Sequence, residues 1–429
     1  MDLKLIHSLF FVGCVTVSLG QQTNTAYAIT GQENANFNWV DIRAIDLASG
    51  TAGSTLFESG KTHFTFRDAE TGRNVDQLTI NGNPLPAATA NNAAGVKTIV
   101  DNSSPTALMS AANAYDKKHQ KLFFAAMRTG QLVWLDLSNS NGTPAFYTLQ
   151  RSLIGNLDYT DEALNITRMA VGADGNGYAL TNDAEHLIRF TTGSKTIITD
   201  LGGLIDAASN NGLSVHNKCS SWGGDLVADA FGTMYLLTAG RNVFLIEPQT
   251  MTATYKGTIS NLPGTYSVNG AAVIDDENVM VSSANTFDGY YKVDINTLAA
   301  TKMLTAGKVY NASDLASGNL LHQTERQNNT GAASLEATEV LGNRFIAVYP
   351  NPVENEEIKI AFDKNLFGKY KITLSDLTGR IIATKEVYIE GPGQVENFAM
   401  NRKQAAGIYI IKVIDGTSKE VYSDKIVLQ

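Results

Sequence analysis

A two-strand pattern recurs along the first two thirds of the chain and constrains the fold more than any other feature. Each copy joins two short runs of aromatic, β-branched and small residues through a polar turn, which is typical of a β-hairpin. The copies are Ala26–Thr30 with Phe37–Asp41, Leu122–Ala126 with Leu132–Asp136, Gly177–Asn182 with Leu187–Phe190, Met234–Thr238 with Val243–Ile246, and Val279–Ser283 with Tyr290–Asp294. Recurrence of this kind indicates repeated structural units.

Further strand-like segments flank each hairpin. A weaker apolar strand and a turn precede it, as at Arg168–Ala173 and Asp225–Ala230, and a fourth strand follows it, as at Thr196–Asp200. The last four hairpins begin near positions 122, 177, 234 and 279, at intervals of 55, 57 and 45 residues. Four antiparallel strands at this spacing are typical of one β-propeller blade. We therefore predict an all-β propeller over residues 21–322.

The number of blades is open between five and six. The first interval is 122 − 26 = 96 residues, so residues 61–104 are either an insertion or a degenerate blade. The first unit lacks its own first strand, and Asp314–Leu321 is a candidate for it. Pairing of that strand with the first unit would close the ring and remove an exposed sheet edge. A long β-sandwich and two smaller β domains are the alternative folds.

The N-terminus has the pattern of a secretory signal peptide. The run Leu5–Leu19 is apolar and uncharged and follows a short charged segment. Cleavage after Gly20 is favoured over cleavage after Ala28, because the later site would cut the first predicted strand. A lipidated Cys14 is the third alternative. We predict a signal peptide over residues 1–20.

The composition changes after His322. Residues 323–338 are polar and are typical of a linker, and alternating strands over residues 339–429 predict a small β-sandwich. Several different short motifs lie in this last segment. Their residues are Tyr349, Pro350, Asn351, Pro352, Gly379, Arg380, Gly407, Tyr409 and Lys425.

These motifs, in this order at the end of a chain, resemble the type A C-terminal sorting domain of the type IX secretion system. The resemblance implies a bacterium of the Bacteroidetes kind and export to the periplasm behind a signal peptide. It also implies passage through an outer-membrane translocon that recognises the sorting domain, with the cargo then secreted or held at the outer cell surface. An ordinary adhesion-type β-sandwich is the alternative.

The propeller region also resembles an uncharacterised group of proteins that often carry such a sorting domain. The similar segments are Gly172–Leu180 and Asn217–Asp225. This resemblance implies a fold and no activity.

Composition excludes several classes of function. With 33 basic and 42 acidic residues the net charge is −9, which disfavours nucleic acid and anionic membranes as partners. Two cysteines exclude a disulfide scaffold, and no run beyond the leader reaches the ~18 apolar residues of a membrane span. The Asp/Asn/Gly-rich segment Gly172–Gly177 lacks the ligand ladder of a calcium loop. We predict neither a metal nor a cofactor.

The loop Asn210–Asp225 is the best candidate for ligand binding, because it is polar and joins two blades on a face where propellers commonly bind. Other turns expected on that face add polar residues that suit a glycan or a protein surface. The predicted ligand-binding residues are Arg168, Asp183, His216, Trp222, Asp225, Arg241, Asn269 and Asp314. Two alternatives are local packing of Trp222, His216 and Cys219 onto the propeller, and a nucleophile pair of Cys219 with His216.

The sequence thus favours an exported, non-enzymatic propeller that binds a polar ligand. A secreted polysaccharide hydrolase or lyase with carboxylates on the axial face is the second hypothesis, and Asp68 and Glu70 are a further close carboxylate pair. A purely structural surface protein is the third hypothesis. Two carboxylates about 5–10 Å apart in an open axial pocket would favour the enzyme.

Overall fold

The chain divides into two compact units, residues 1–323 and residues 324–429. The predicted signal peptide and residues 327–338 of the predicted linker lie outside the described residues. The structure, a computed structural model, describes residues 23–31, 38–80, 82–84, 89–91, 97–99, 103–107, 109–138, 142–155, 158, 160–326, 346–353, 357–362, 366–389, 394–400 and 404–428.

The first unit is built almost wholly of strands. Its short helices are an α-helix at Lys218–Ser221 and 3-10 helices at Glu162–Leu164 and Ala208–Asn210. The strands in chain order are β1 (Thr25–Gly31), β2 (Trp39–Asp46), β3 (Ala52–Phe57), β4 (Thr65–Asp68), β5 (Thr79–Ile80), β6 (Asn83–Pro84), β7 (Thr89–Asn91), β8 (Lys97–Ile99), β9 (Ser110–Asp116), β10 (Lys121–Ala126), β11 (Gln131–Asp136), β12 (Ala145–Ser152), β13 (Ile166–Val171), β14 (Asn176–Thr181), β15 (Leu187–Thr191), β16 (Ile198–Asp200), β17 (Ile205–Asp206), β18 (Asp225–Ala228), β19 (Met234–Leu237), β20 (Asn242–Glu247), β21 (Thr252–Thr258), β22 (Gly270–Val273), β23 (Asn278–Ser282), β24 (Tyr291–Asp294), β25 (Ala300–Lys302) and β26 (Ala312–Ser317).

All of these strands except β5–β8 form five sheets of four or five strands, and each sheet is a blade. Blade 1 is β26-β1-β2-β3, blade 2 is β9-β10-β11-β12-β4 and blade 3 is β13-β14-β15-β16. Blade 4 is β18-β19-β20-β21-β17 and blade 5 is β22-β23-β24-β25. The strand named first in each blade is its inner strand. These five inner strands contact one another in a closed cycle β26–β9–β13–β18–β22–β26. The five-bladed propeller is therefore confirmed.

Each repeated hairpin buries both of its faces, one against each neighbouring blade. On β14, for example, Tyr178 and Leu180 pack toward blade 4, while Ala179 packs toward blade 2. This alternation follows from the two-residue period of a strand. It explains why the repeated runs read as continuously apolar, with one apolar cluster at each of the five blade interfaces.

The ring closes through strands from the two ends of the propeller. Strand β26 pairs antiparallel with β1, with Ala28 opposite Leu315 and Ile29 opposite Asp314. The strand predicted over Asp314–Leu321 is thus found two residues earlier, at Ala312–Ser317. Asn319 completes the closure, because its side chain bonds to both the N–H and the carbonyl of Thr23.

The long interval after the first blade holds no sixth blade among the described residues. Strand β4 instead adds to the outer edge of blade 2 by parallel pairing with β12. The two-stranded sheets β5-β6 and β7-β8 follow it. Blade 4 gains a fifth strand in the same way, because β17 pairs parallel with β21. Neither edge strand is predicted by the repeat pattern.

The second unit is a β-sandwich of a three-stranded and a four-stranded sheet, ordered β27-β28-β31 and β30-β29-β32-β33. The two sheets enclose an apolar core that includes Ile360, Phe398, Leu374 and Ile411. Its strands are β27 (Ile346–Tyr349), β28 (Glu357–Phe362), β29 (Gly368–Asp376), β30 (Ile381–Ile389), β31 (Val395–Ala399), β32 (Gly407–Asp415) and β33 (Glu420–Leu428).

Candidate functional site

The propeller axis is nearly filled by side chains of the five inner strands. The lining includes one or more alanines from each strand, and the space left between them is a cavity of about 20 Å³. This is room for about one water molecule. The lining alanines are Ala114, Ala170, Ala228, Ala271, Ala272 and Ala316.

Two carboxyl groups meet beside the axis, fully buried. The Asp225 carboxylate accepts hydrogen bonds from the N–H groups of Leu226 (2.7 Å) and Ala271 (2.6 Å). The Asp314 side chain lies next to that of Asp225, and its two oxygens are buried without a hydrogen-bond donor. Burial raises the pKa of Asp225, and burial together with the Asp225 charge raises the pKa of Asp314. One proton shared by the pair fits this arrangement.

The carboxyl pair joins blades. Asp225 starts the inner strand of blade 4, its amide partner Ala271 lies in blade 5, and Asp314 lies in blade 1. A side chain at Gly270 would clash with the backbone of Asp314 and Leu315, at 2.7 Å from a Cβ, so glycine lets these strands approach. Both side chains are fully buried, so this pair does not have the open geometry of a glycosidase.

Arg168 anchors the loop between blades 3 and 4. Its guanidinium donates to the carbonyls of Gly223 (3.0 Å) and Ser221 (2.6 Å) in the loop, and to Thr181 (2.8 Å) and Asn182 (3.2 Å) in its own blade. The side chain is fully buried. Burial lowers the pKa of Arg168 to about 9, against the opposing attraction of Asp183 and Asp225.

Arg241 and Asn269 also hold backbone in place. The Arg241 guanidinium donates to the carbonyls of Tyr266 (3.0 Å), Gly264 (2.8 Å) and Pro263. The Asn269 side chain accepts hydrogen bonds from the Ser267 hydroxyl and the Ala284 N–H. Asp183 accepts from the N–H of Glu185 and the hydroxyl of Thr181, which fixes a tight turn.

His216 and Trp222 are half-buried and packed within their loop. The two His216 ring nitrogens lie 2.7 Å from the Asp183 carbonyl and 3.0 Å from the Leu204 carbonyl, and Glu185 lies 3.2 Å away. The Trp222 indole donates to the His216 carbonyl at 3.1 Å, and the Lys218 ammonium lies 4.8 Å from its ring centroid. The structure therefore brings His216, Asp183 and Trp222 together. It places Arg241 and Asn269 at the junction of blades 4 and 5.

A polar cleft that the sequence did not predict lies at the outer edge of blade 2. Its volume is about 400 Å³. Asp68 is part of its lining and caps a turn by accepting from the N–H groups of Glu70 and Thr71, both at 2.8 Å. Glu70 pairs with Arg151 at 3.0 Å. The residues that line the cleft include Asp68, Arg73, Asn74, Asp76, Gln77 and Gln150.

In the C-terminal unit, Asn351 ties the first motif to the last strand. Its amide donates to the Lys425 carbonyl at 2.9 Å and accepts from the Val427 N–H at 3.0 Å. Both prolines around it, Pro350 and Pro352, follow cis peptide bonds. Tyr349 is buried beside Ala347 and Ala361 of the three-stranded sheet.

The Asp-Leu-Thr-Gly-Arg motif forms a hairpin turn between β29 and β30. One oxygen of Asp376 accepts from the N–H groups of Thr378 and Arg380, and the other accepts from the Arg380 side chain at 3.0 Å. Gly379 has a φ of 86°, in the left-handed region that favours glycine. Asp415 forms the same turn between β32 and β33.

Residues 347–429 match the family described as the secretion system C-terminal sorting domain. The chain carries a type IX secretion sorting domain. This confirms the resemblance stated from the motifs, and the domain marks the protein for export to the cell surface or for secretion.

The sorting domain exposes an apolar area on the outer face of its four-stranded sheet. Leu377 and Ile381 are each 63% exposed and Ile408 is 48% exposed. Tyr409, between two outward residues of β32, faces the core and donates to the Ala405 carbonyl at 2.9 Å. We call this surface the outer patch, defined by Leu377, Arg380, Ile381, Ile408 and Lys425.

Solved structures give distant likenesses. The surface component PorZ of the type IX secretion system of Porphyromonas gingivalis is 13% identical, with a TM-score of 0.31 over 94% of this chain and 51% of that one. The chain thus spans about half the length of PorZ. A putative 6-phosphogluconolactonase from Bacteroides uniformis is 14% identical, with a TM-score of 0.33 over 88% of this chain and 100% of that one. Each likeness is too distant to bear on ligand or activity, and no curated protein matches the chain.

The described residues contain no helix that is both long and apolar enough to cross a membrane. They also contain no cluster of three or more His, Cys, Asp or Glu side chains placed to hold a metal ion.

Proposed function

We propose that this protein is a cargo of the type IX secretion system whose propeller binds a polar ligand, a glycan or a surface protein, without catalysing a reaction. The observation that carries the export part is the sorting domain at residues 347–429. The sorting domain is the partner of the secretion machinery, and the propeller is the delivered part.

Export begins, in this proposal, with a signal peptide over residues 1–20 that directs the chain to the periplasm. The fold supports cleavage after Gly20. Thr23 already bonds to Asn319, and β1 begins at Thr25. Cleavage after Ala28 would remove half of the strand that pairs with β26.

The outer patch is the surface we propose for recognition by the sorting machinery. It joins residues from three separate motifs, because Leu377 and Arg380 come from the hairpin turn, Ile408 from β32 and Lys425 from β33. Three large apolar side chains stand exposed there beside two cations. Exposed apolar area rimmed by polar groups is typical of interaction surfaces.

The binding role rests on the loop around Trp222. Its indole face is half-buried beside the exposed Lys218, and Glu185 and His216 lie next to it. Aromatic and charged side chains together suit a polar ligand. The hydrolase alternative has less support, because the axial carboxylates Asp225 and Asp314 are buried and paired.

A transfer experiment tests the export proposal. Residues 324–429 are fused behind a periplasmic reporter in a host with this secretion system, and reporter activity is measured on intact cells and in the medium. We expect export of the fusion, loss of export with Ile381→Glu plus Ile408→Glu, and normal export with the control Thr384→Glu on the same exposed face. Export of the double variant would contradict the assignment to the outer patch.

A binding screen tests the role of the propeller. The purified protein is applied to immobilised glycans and to cell-surface protein extracts, with Trp222→Ala as the variant. We expect a ligand whose binding weakens in the variant. Hydrolysis of a bound polysaccharide would contradict the non-enzymatic assignment.

A further inference from the structure

The cleft at the edge of blade 2 is built from an added hairpin. After β4 the chain turns at Asp68–Gly72 and returns, with the Asp68 N–H donating to the Arg73 carbonyl (2.8 Å) and the Val75 N–H donating to the Phe66 carbonyl (2.9 Å). The whole hairpin is held to the blade by the parallel pairing of β4 with β12. The segment has no counterpart in blades 1, 3 and 5 among the described residues.

Buried neighbours fix the direction of the side chains along one wall. Leu78 and Ile80 lie in the apolar core between blades 1 and 2. Gln77, just before strand β5, lies in the lining of the cleft. Thr79 is held by two hydrogen bonds with the Gln131 side chain, at 2.9 and 3.0 Å. The wall is therefore anchored before any ligand binds.

The cleft offers polar groups that the fold does not use. Arg73, Asn74 and Gln150 are exposed and Gln77 is half-buried, and no hydrogen bond within the described part of the chain engages these four side chains, unlike those of Arg168 and Arg241. Arginine supplies five N–H donors, and each amide supplies two donors and an acceptor. A volume of about 400 Å³ lies within the ~300–1,000 Å³ of small-ligand sites.

The charge of the lining selects among polar ligands. The lining contains two acidic residues, Asp68 and Asp76, and one basic residue, Arg73. This balance disfavours phosphates and acidic sugars. We propose that the cleft binds a neutral oligosaccharide, whose hydroxyls hydrogen-bond to Arg73, Asn74, Gln77 and Gln150. This inference rests on the proposed binding role of the propeller and adds to it a ligand class and a second site, separate from the loop around Trp222.

Titration calorimetry of the full chain tests the inference. The probes are the neutral hexaoses of cellulose, xylan, mannan and starch, with a trigalacturonate as the acidic probe. Arg73→Ala and Gln77→Ala are the cleft variants. Arg67→Ala is the matched control, because Arg67 is an exposed arginine on the same hairpin and outside the cleft lining.

We expect binding of at least one neutral hexaose, weakened roughly tenfold or more in Arg73→Ala and unchanged in Arg67→Ala. Absence of binding by every neutral probe, tighter binding of trigalacturonate, or equal affinity of Arg73→Ala would overturn the inference. If a ligand is lost in Trp222→Ala and kept in Arg73→Ala, the cleft assignment fails while the proposed binding role stands.

Discussion

The side chain of Asn351 bonds to the backbone of Lys425 across 74 residues of sequence, with its amide donating to the Lys425 carbonyl at 2.9 Å. The same side chain accepts the N–H of Val427. The first and last motifs of the sorting domain are therefore one structural unit.

Replacement of Asn351 by alanine is expected to destabilise the sorting domain. Two hydrogen bonds to backbone are lost, so we expect a loss of about 1–3 kcal/mol. Thermal unfolding of the full chain measures it. The control is Asn397→Ala, an exposed asparagine of the same domain, and an equal effect of the two changes would contradict the role given to Asn351.

Replacement of Arg168 by alanine is expected to lower the stability of the propeller strongly. Four backbone carbonyls lose their donor inside the protein, and we expect a loss of about 3 kcal/mol or more. The control, the exposed Arg67→Ala, should stay within about 0.5 kcal/mol. Urea unfolding compares the two. An Arg168→Ala protein of normal stability that fails only in ligand binding would instead make Arg168 a ligand-binding residue.

The paired carboxyls of Asp225 and Asp314 predict a pH-dependent stability. Both pKa values are raised in the folded state, so the folded protein keeps protons that the unfolded chain releases. The contribution to stability is complete below the unfolded pKa, near 3.9, and is lost as pH rises through the folded values.

Asp314→Asn isolates this contribution, because an amide donates to Asp225 without a titrating proton. Stability measured from pH 4 to pH 8 should fall less steeply in the variant than in the natural protein. The exposed Asp424→Asn is the control and should leave the slope unchanged. Equal slopes in all three proteins would contradict a shared proton.

The mature N-terminus is expected at Gln21. Thr23 is held by Asn319 and β1 starts at Thr25, so cleavage after Ala28 would break the closure of the ring. Intact-mass measurement of the exported protein identifies the cleavage site. The expected mass is that of a chain that starts at Gln21, with or without cyclisation of this residue. A chain that starts at Ile29 would contradict this prediction.

Local pattern predicted much of this fold. The five hairpins, the closing strand and the sorting domain could all be predicted from the sequence, because period-two burial and short turn motifs are local features. The parallel edge pairing of β4 and β17 could not be predicted, because these strands are short and lie outside the repeated hairpin pattern.

The candidate sites were harder to predict for a different reason. Polar type and loop position marked Arg168, Arg241 and Asp225, and in the structure each of them bonds to backbone within the fold. Sequence alone cannot separate an arginine that binds carbonyls from one that faces solvent. The cleft residues Arg73 and Gln77 carry no motif, and Gln150 joins them only through the long-range pairing of β4 with β12.

The most direct measurement is the location of the protein with and without residues 339–429. Both forms are expressed in a host with the type IX system, and the periplasm, cell surface and medium are probed by immunoblot. The full chain should appear at the surface or in the medium, while the truncated chain should accumulate in the periplasm with its propeller folded. A truncated chain that reaches the surface as efficiently as the full chain would contradict the account.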